Sequence, residues 1–186
     1  MLKGKVNEKD ILLRPVRKSD LECLLKWMND TEVNQYLLNR FPMTEITEGK
    51  WIEELSTTRR NTDIVFMIEV KQKPIGICGL HMINLIDQNA GVGMAIGEKK
   101  YWSKGYGTES LRLLVNYAFR NLNLNSLSAG AMDFNERSIK MQKKIGFQRE
   151  GRRRQHFFKN GKFHDEILFG LLREEWKKKQ KFKDTN

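Results

Sequence analysis

Between Asp63 and Leu122 the spacing of apolar residues changes from two to three or four, which confines the chain to folds that pack helices on a sheet. Ile64, Phe66, Ile68 and Val70 alternate, the polar turn Lys71-Gln72-Lys73-Pro74 follows, and residues 75–83 read as the returning strand of a hairpin. Residues 90–97 form a further short strand, thinned by Gly91, Gly93 and Gly97; glycine there marks a bulge or a close approach of a ligand to the backbone. Over residues 108–122, Leu111, Leu114, Val115, Ala118 and Leu122 share one helical face.

The reading extends to both ends. Residues 11–16 are apolar and β-prone, and Ser19-Asp20-Leu21-Glu22 after them has the spacing of a capping box. It opens a helix whose Leu21, Leu24, Leu25 and Met28 form one stripe. A second helix over residues 47–55 is carried by Trp51, Ile52 and Leu55, and the segment 30–43 between the helices, with Tyr36, Phe41 and Pro42, is placed to line a substrate cleft. Residues 126–131 make another strand, and Asn135 caps a helix that stops at Gly146. Residues 152–158 and 163–171 flank Asn160-Gly161, the dipeptide of a type I′ hairpin turn. The order β-α-α-β-β-β-α-β-α-β-β describes a mixed α/β (α+β) sandwich. With three prolines in 186 residues and no break in composition, one domain is expected over residues 1–176, followed by a basic, frayed tail over 177–186.

The net charge of +11 suits either a nucleic-acid or ribosomal surface or a small polyanion. No nucleic-acid motif accompanies the charge, which argues against the first. The start of the chain lacks the apolar run of a signal peptide, and no window reaches the length of a membrane span, so a cytoplasmic protein without membrane partners is expected. Cys23 and Cys78 lie in apolar patterns without metal or redox spacing; they read as buried thiols, and no metal is expected.

Chemistry concentrates in Tyr101-Trp102-Ser103-Lys104-Gly105-Tyr106-Gly107-Thr108-Glu109, between the glycine-bearing strand and the helix. Glycines at 105 and 107 let successive N–H groups converge at a helix N-terminus, where free donors and the helix dipole favour an anion, and Lys104 adds a point charge. An ordinary glycine loop capping a helix fits those two glycines equally well. Neither a Walker loop nor a dinucleotide Gly-x-Gly-x-x-Gly occurs, which excludes the usual nucleotide cradles.

These residues resemble the GNAT superfamily of N-acetyltransferases, and within it the branch that acetylates the N-termini of ribosomal proteins. The superfamily loop reads Arg/Gln-x-x-Gly-x-Gly/Ala against Trp102-Ser103-Lys104-Gly105-Tyr106-Gly107 here; a tryptophan followed by Gly-Tyr-Gly-Thr-Glu is typical of that branch. Leu13-Arg14-Pro15, Asn135-Glu136-Arg137-Ser138 with Lys143-Lys144-Ile145-Gly146-Phe147, and Glu150-Gly151 with the closing hairpin carry the resemblance across nearly the whole domain. It implies a mostly antiparallel central sheet flanked by helices, with acetyl-CoA as co-substrate. The CoA diphosphate is then held on the amides of Ser103, Lys104, Gly105, Tyr106, Gly107 and Thr108. The pantetheine arm pairs with Met94, Ala95 and Ile96, left exposed where the parallel strand 126–131 splays away. Asn135 and Ser138 match positions at the pantetheine and thiol end. Lys140, Lys143 and Lys144 stand either at the 3′-phosphate or on a solvated helix face.

An ammonium must lose a proton before it attacks a thioester, and a backbone N–H on the 94–96 strand is expected to hold the acyl oxygen. An N-terminal amine, with a pKa of about 8, needs less help than a lysine near 10.4. Many relatives carry a tyrosine acid where this chain has Gln142, which leaves Ser138 as the hydroxyl donor. Relatives often carry a glutamate where Gly91 stands, so His156, on the hairpin facing the cleft, becomes the candidate base, ahead of His81 and His164. The cysteines show no sign of a lowered pKa, and direct transfer in a ternary complex is expected. Three readings of the acceptor side follow: a protein N-terminus; a polyamine or amino sugar; or a basic ribosome- or nucleic-acid-binding module without catalysis. A monomer and a homodimer fit the sequence equally.

Overall fold

The computed structural model describes residues 1–57 and 62–184. Its strands are β1 (Leu2–Val6), β2 (Lys9–Pro15), β3 (Ile64–Val70), β4 (Lys73–Asn84), β5 (Asn89–Ile96), β6 (Ser126–Met132), β7 (Gln148–Lys159) and β8 (Lys162–Leu172). They form one sheet in the order β1-β2-β3-β4-β5-β6-β8-β7, antiparallel throughout except between β5 and β6. The helices are α1 (Leu21–Asn29), α2 (Thr31–Asn34), α3 (Glu45–Thr57), α4 (Tyr106–Arg120), α5 (Glu136–Ile145) and α6 (Arg173–Asp184). The expected mixed, mostly antiparallel sheet between helices is therefore present, and Asn160 and Gly161, at φ 52° and 77°, make the expected hairpin turn. None of the helices among the described residues is long and apolar enough to cross a membrane.

Three elements escaped the sequence reading. In β1 only Leu2 and Val6 are large and apolar, too few to reveal a period beside the lysines. One-turn α2 is set by Asp30, whose Oδ1 accepts from the N–H groups of Glu32 and Val33 at 2.9 and 3.3 Å. Helix α6 runs through the basic segment assigned to a tail from residue 177. It is anchored by Trp176, buried against Phe119 with its indole N–H donating to Asn116 Oδ1 at 2.9 Å. Residues 185 and 186 lie outside the described residues.

The sheet buries both faces. Phe66, Ile68 and Val70 meet Leu111, Leu114, Val115 and Ala118 of α4 on one side, as the alternation requires. On the other, Met67 joins Leu24 and Trp27 of α1 and Ile52 of α3. The α1 stripe thus centres on Leu24 and Trp27, while Leu21, Leu25 and Met28 are half-buried. Trp27 fits because Gly97 leaves room: a Cβ there would lie 2.1 Å from the indole.

The Ser19-x-x-Glu22 box does not form; Asp20 takes its place. Its carboxylate accepts from the Arg17 N–H at 2.8 Å and twice from the Arg14 guanidinium at 2.8 Å. Arg14 also donates to Glu69 at 2.6 Å, so one buried cation joins β2, β3 and the turn into α1. Burial alone would raise the Asp20 pKa, but the hydrogen bonds from Arg14 and Arg17 outweigh it and hold the carboxyl below its ordinary range. A depressed folded pKa gives stability that is complete above the unfolded value, near 3.9, and lost as the pH falls through the folded value. Asp20→Asn should therefore cost about 3 kcal/mol in urea unfolding at pH 7, and the gap to wild type should shrink below about pH 4.

Candidate functional site

The parallel pair β5–β6 sets the site. It is registered only at Asn89↔Ser126, Ala90↔Leu127 and Gly91↔Ser128; beyond these pairs the strands part. Backbone groups alternate along a strand, and Gly97 donates its N–H to Ile75 of β4 at 2.9 Å, so the groups of Ile96, Met94 and Val92 point the other way, into the parting. The Ile96 carbonyl is held there by the Trp102 indole at 2.6 Å. Met94 is left with a donor and an acceptor facing the gap, as a pantetheine amide requires.

At the mouth of the parting the loop turns into α4 through Gly105, the N-cap, at φ +89°, a left-handed conformation that glycine adopts without strain. Glu109 makes the first helical bond, to the Gly105 carbonyl at 3.0 Å, so the amides of Tyr106, Gly107 and Thr108 have no helical acceptor. A cavity of about 400 Å³ opens here. Met94, Ala95, Ile96, Ser103, Gly105, Gly107, Thr108, Asn135 and Ser138 all line it, so the structure brings nearly all the expected coenzyme residues together. Lys104 is exposed and off the wall, and the Tyr106 side chain is buried in the core, edge-on to Tyr101 at 5.1 Å. Lys140 and Lys144 reach the wall; Lys143 does not.

Sequence reasoning gave Arg137 no role of its own. Its guanidinium stacks on Trp102 at 4.0 Å and on Tyr36 at 4.9 Å, bringing a fixed positive charge to the cavity wall. The spacing of Arg137 from Asn135 carried the signal, but its aromatic partners come from distant segments. These loop amides, the positive wall and the unpaired Met94 edge fit a diphosphate joined to an amide-bearing arm.

A second cavity, about 470 Å³, lies across the parting and shares Tyr36, Met94, Ala95, Asn135, Ser138 and Met141 with the first. The segment 30–43 lines it through Tyr36, Leu37, Leu38 and Asn39, whereas Phe41 is 81% exposed and is not part of the wall. At the junction the Ser138 hydroxyl accepts from Gln142 Nε2 at 3.2 Å, leaving its own proton free to be donated. The Gln142 amide also faces the Gly130 carbonyl at 3.5 Å, which fixes its nitrogen on that side. Its Oε1 is then buried with no partner. Asn135 caps α5 by accepting from the Ser138 N–H at 3.2 Å.

Among the described residues Glu166 is the one carboxylate on the second wall, and it is paired with Arg153 at 2.9 Å. His156 sits in a bulge of β7, 3.6 Å from Glu166; it is Phe157 beside it that lines the cavity. His164 is buried off both cavities, with Nδ1 3.1 Å from Asp133. His81 lines the second cavity, its Nδ1 2.8 Å from Asp63 Oδ1. Its ring lies over Gly93, where a Cβ would come within 2.8 Å of Nε2. Gly93 thus makes room for a histidine and Gly97 for a tryptophan, a packing cause for two of the three glycines where the sequence suggested a bulge or ligand approach. Cys78 is fully buried on the second wall, and Cys23 is half-buried, its thiol pushed up to about 11 by burial and the nearby Asp20 charge. Burial raises the Cys78 thiol further, so neither is poised as a nucleophile.

A family model described as an acetyltransferase (GNAT) domain matches residues 10–148. The uncharacterized N-acetyltransferase p20 of Bacillus licheniformis is 29% identical over 170 residues, 89% of this chain and 94% of that protein. YdaF of Bacillus subtilis, which carries the name of a ribosomal N-acetyltransferase, is 36% identical over 101 residues, 54% of this chain and 55% of its own. A crystal structure of spermidine N-acetyltransferase from Vibrio cholerae in complex with CoA and spermine superposes with a TM-score of 0.82, covering 89% of this chain and 97% of that one. At 22% identity that likeness speaks to the fold.

The packing of His81 on Gly93 predicts a coupling. Gly93→Ala should lower stability by about 1 kcal/mol, chiefly by forcing the ring off Asp63. In a His81→Ala background the same change should cost almost nothing, as a double-mutant cycle in urea would measure.

Proposed function

Because the chain belongs to the GNAT acetyltransferase family, whose members use acetyl-CoA, and is an N-acetyltransferase, we propose that its acceptor is the N-terminal amine of a protein. What supports this reading is the second cavity: Met28, Trp51, Val65 and Ile77 give it an apolar wall, and Glu166, its one carboxylate among the described residues, is already neutralised by Arg153. A polyamine carries several cations and needs several unpaired acids, whereas β7 presents Arg149, Arg152, Arg153 and Arg154, and the chain carries +11. One amine with an apolar side chain meets the wall better, and the buried Gln142 Oε1 can accept one of its N–H groups.

Acetyl-CoA supplies the acetyl group as a thioester, already activated for attack. In this reading the amides of Ser103, Lys104, Gly105, Tyr106, Gly107 and Thr108 hold its diphosphate, with Lys140, Lys144 and Arg137 adding positive charge from the wall. The Met94 carbonyl and the Ile96 N–H, both facing the parting, pair with the pantetheine arm beside Ala95, and the Met94 N–H is available to the acyl oxygen. Asn135 fixes the start of α5, and Ser138, held by Gln142, gives its proton to the departing sulfur. The reading takes residues 1–176 as the acetyltransferase domain, working in the cytoplasm. His156 is assigned to the rim, where it faces Glu166.

Calorimetry with CoA should give saturable binding, and Gly107→Pro, which removes one loop amide and constrains the turn, should weaken it at least 10-fold. Offered labelled acetyl-CoA, peptides with free N-termini should take up label ahead of spermidine or amino sugars. Label on polyamine alone would reverse the choice of acceptor, and absence of CoA binding would favour a non-catalytic basic module. Ser138→Ala should lower kcat about 10-fold or more while leaving CoA affinity within about 2-fold.

A further inference from the structure

We propose that His81 is the catalytic base of this transfer, taking the proton from the acceptor ammonium at Nε2, with Asp63 as its positioning residue; this rests on the amine-acetylation reading above. Asp63 accepts from His81 Nδ1 at 2.8 Å through Oδ1, and its Oδ2 accepts from the Thr62 hydroxyl at 3.1 Å. An ionised carboxylate against Nδ1 keeps the ring proton there and leaves the lone pair on Nε2. Nε2 has no hydrogen-bond partner among the described residues.

The ring is seated, not merely present. It leans across two glycines: a Cβ would lie 2.8 Å from Nε2 at Gly93 and 3.3 Å at Gly79. Both glycines and His81 line the second cavity, which places Nε2 above the backbone one residue before Met94. Met94 borders both cavities, and consecutive Cα atoms are about 3.8 Å apart, so the base stands beside the junction where amine and thioester meet. The other titratable side chains on that wall are Tyr36, Cys78 and Glu166. Glu166 is committed to Arg153, the Cys78 thiol is fully buried, and Tyr36, whose ring carries the Arg137 guanidinium on its face, offers a phenol hydroxyl that gives a proton rather than takes one. His164 has a buried Nε2 off both cavities, where no acceptor reaches it.

The step balances without a further reactant. Nε2 takes one proton from the ammonium, and the freed nitrogen pair forms the C–N bond at the thioester carbon. The C–S bond breaks, and the second nitrogen proton reaches the sulfur through the Ser138 hydroxyl, which donates its own proton and regains one. The imidazolium, 42% exposed, then returns its proton to water.

The test has three readouts. In wild-type protein, ¹⁵N NMR should find the neutral His81 ring protonated at Nδ1, and Asp63→Asn should redistribute that proton towards Nε2. His81→Gln should bind acetyl-CoA within about 2-fold of wild type by calorimetry, which also reports that it is folded. Its kcat/KM should fall 10²–10⁴-fold, with the acidic limb of the pH profile abolished. Asp63→Asn should lose about 10-fold in kcat with KM unchanged, and Asp63→Glu should recover part of it. A wild-type ring protonated at Nε2 overturns the proposal, as does a His81→Gln enzyme that keeps its rate and acidic limb, or a limb lost only in His156→Gln. Failure of wild-type protein to bind acetyl-CoA removes the acetylation reading and this proposal with it, a result distinct from the others.

Discussion

The parting of β5 from β6 is the constraint on which the rest of the structure depends. Three residue pairs hold the two strands together at Asn89–Gly91 and Ser126–Ser128, and Ser128 Oγ reaches only as far as the Ala90 carbonyl, at 3.5 Å. Past that point a sheet would ordinarily zip shut, since unpaired backbone groups away from water are costly. Here α5 begins in the gap: Ser138 and Met141 line both cavities, and Trp102 occupies one of the freed carbonyls. The gap joins two cavities, and it lies where the first turn of α4 offers free amides.

Strand β5 serves both cavities because its two kinds of group point in perpendicular directions. Hydrogen-bonding groups lie in the plane of the sheet, so those of Met94 face the parting. Side chains stand out of that plane, and on the face of Gly91, Gly93, Ala95 and Gly97 they are absent or small: Gly93 accepts the His81 ring and Gly97 the Trp27 indole, each closer than a methyl group would allow. On the proposed reading Gly93 serves the acceptor side and Gly97 the α1 packing, while the coenzyme arm pairs with the backbone of the same strand. A larger side chain at 93 would leave the Met94 edge untouched while displacing the histidine.

Much of this was legible in the sequence. The β3–β4 and β7–β8 hairpins, the α4 stripe and the Asn135 cap follow from local rules that tertiary context here did not override. What local rules missed was register. From the pairing Val70↔Lys73 at the turn, an unbroken ladder would set residue 63 opposite residue 80, on the wrong face for His81. A shift between Ile68 and Glu69 moves the pairing by one, to Ile64↔Leu80, and so brings Asp63 across from His81. Nothing in the residues near Asp63 announces that shift. Arg14–Asp20–Glu69 and Arg137 on Trp102 and Tyr36 were hidden for a like reason: their partners come from segments that meet only after the sheet forms.

The same register bears on how the chain manages without two groups that its resemblance led us to seek. Across from His81 on β5 stands Gly91, where the resemblance implies a glutamate, so the base proposed on β4 would stand on the neighbouring strand in place of a carboxylate on β5 itself. Where a tyrosine acid was looked for stands Gln142, which cannot give up a proton but can direct one: by donating to Ser138 Oγ it orients that hydroxyl outward. An imidazole and an alcohol make a milder pair than a carboxylate and a phenol held at shifted pKa values. Mildness is adequate for an amine of pKa about 8, roughly a tenth of which is neutral at pH 7, and poor for a lysine near 10.4, of which less than about a thousandth is. With His81 and Ser138 handling the protons as proposed, the site suits the same N-terminal amine that the shape and charge of the second cavity favour.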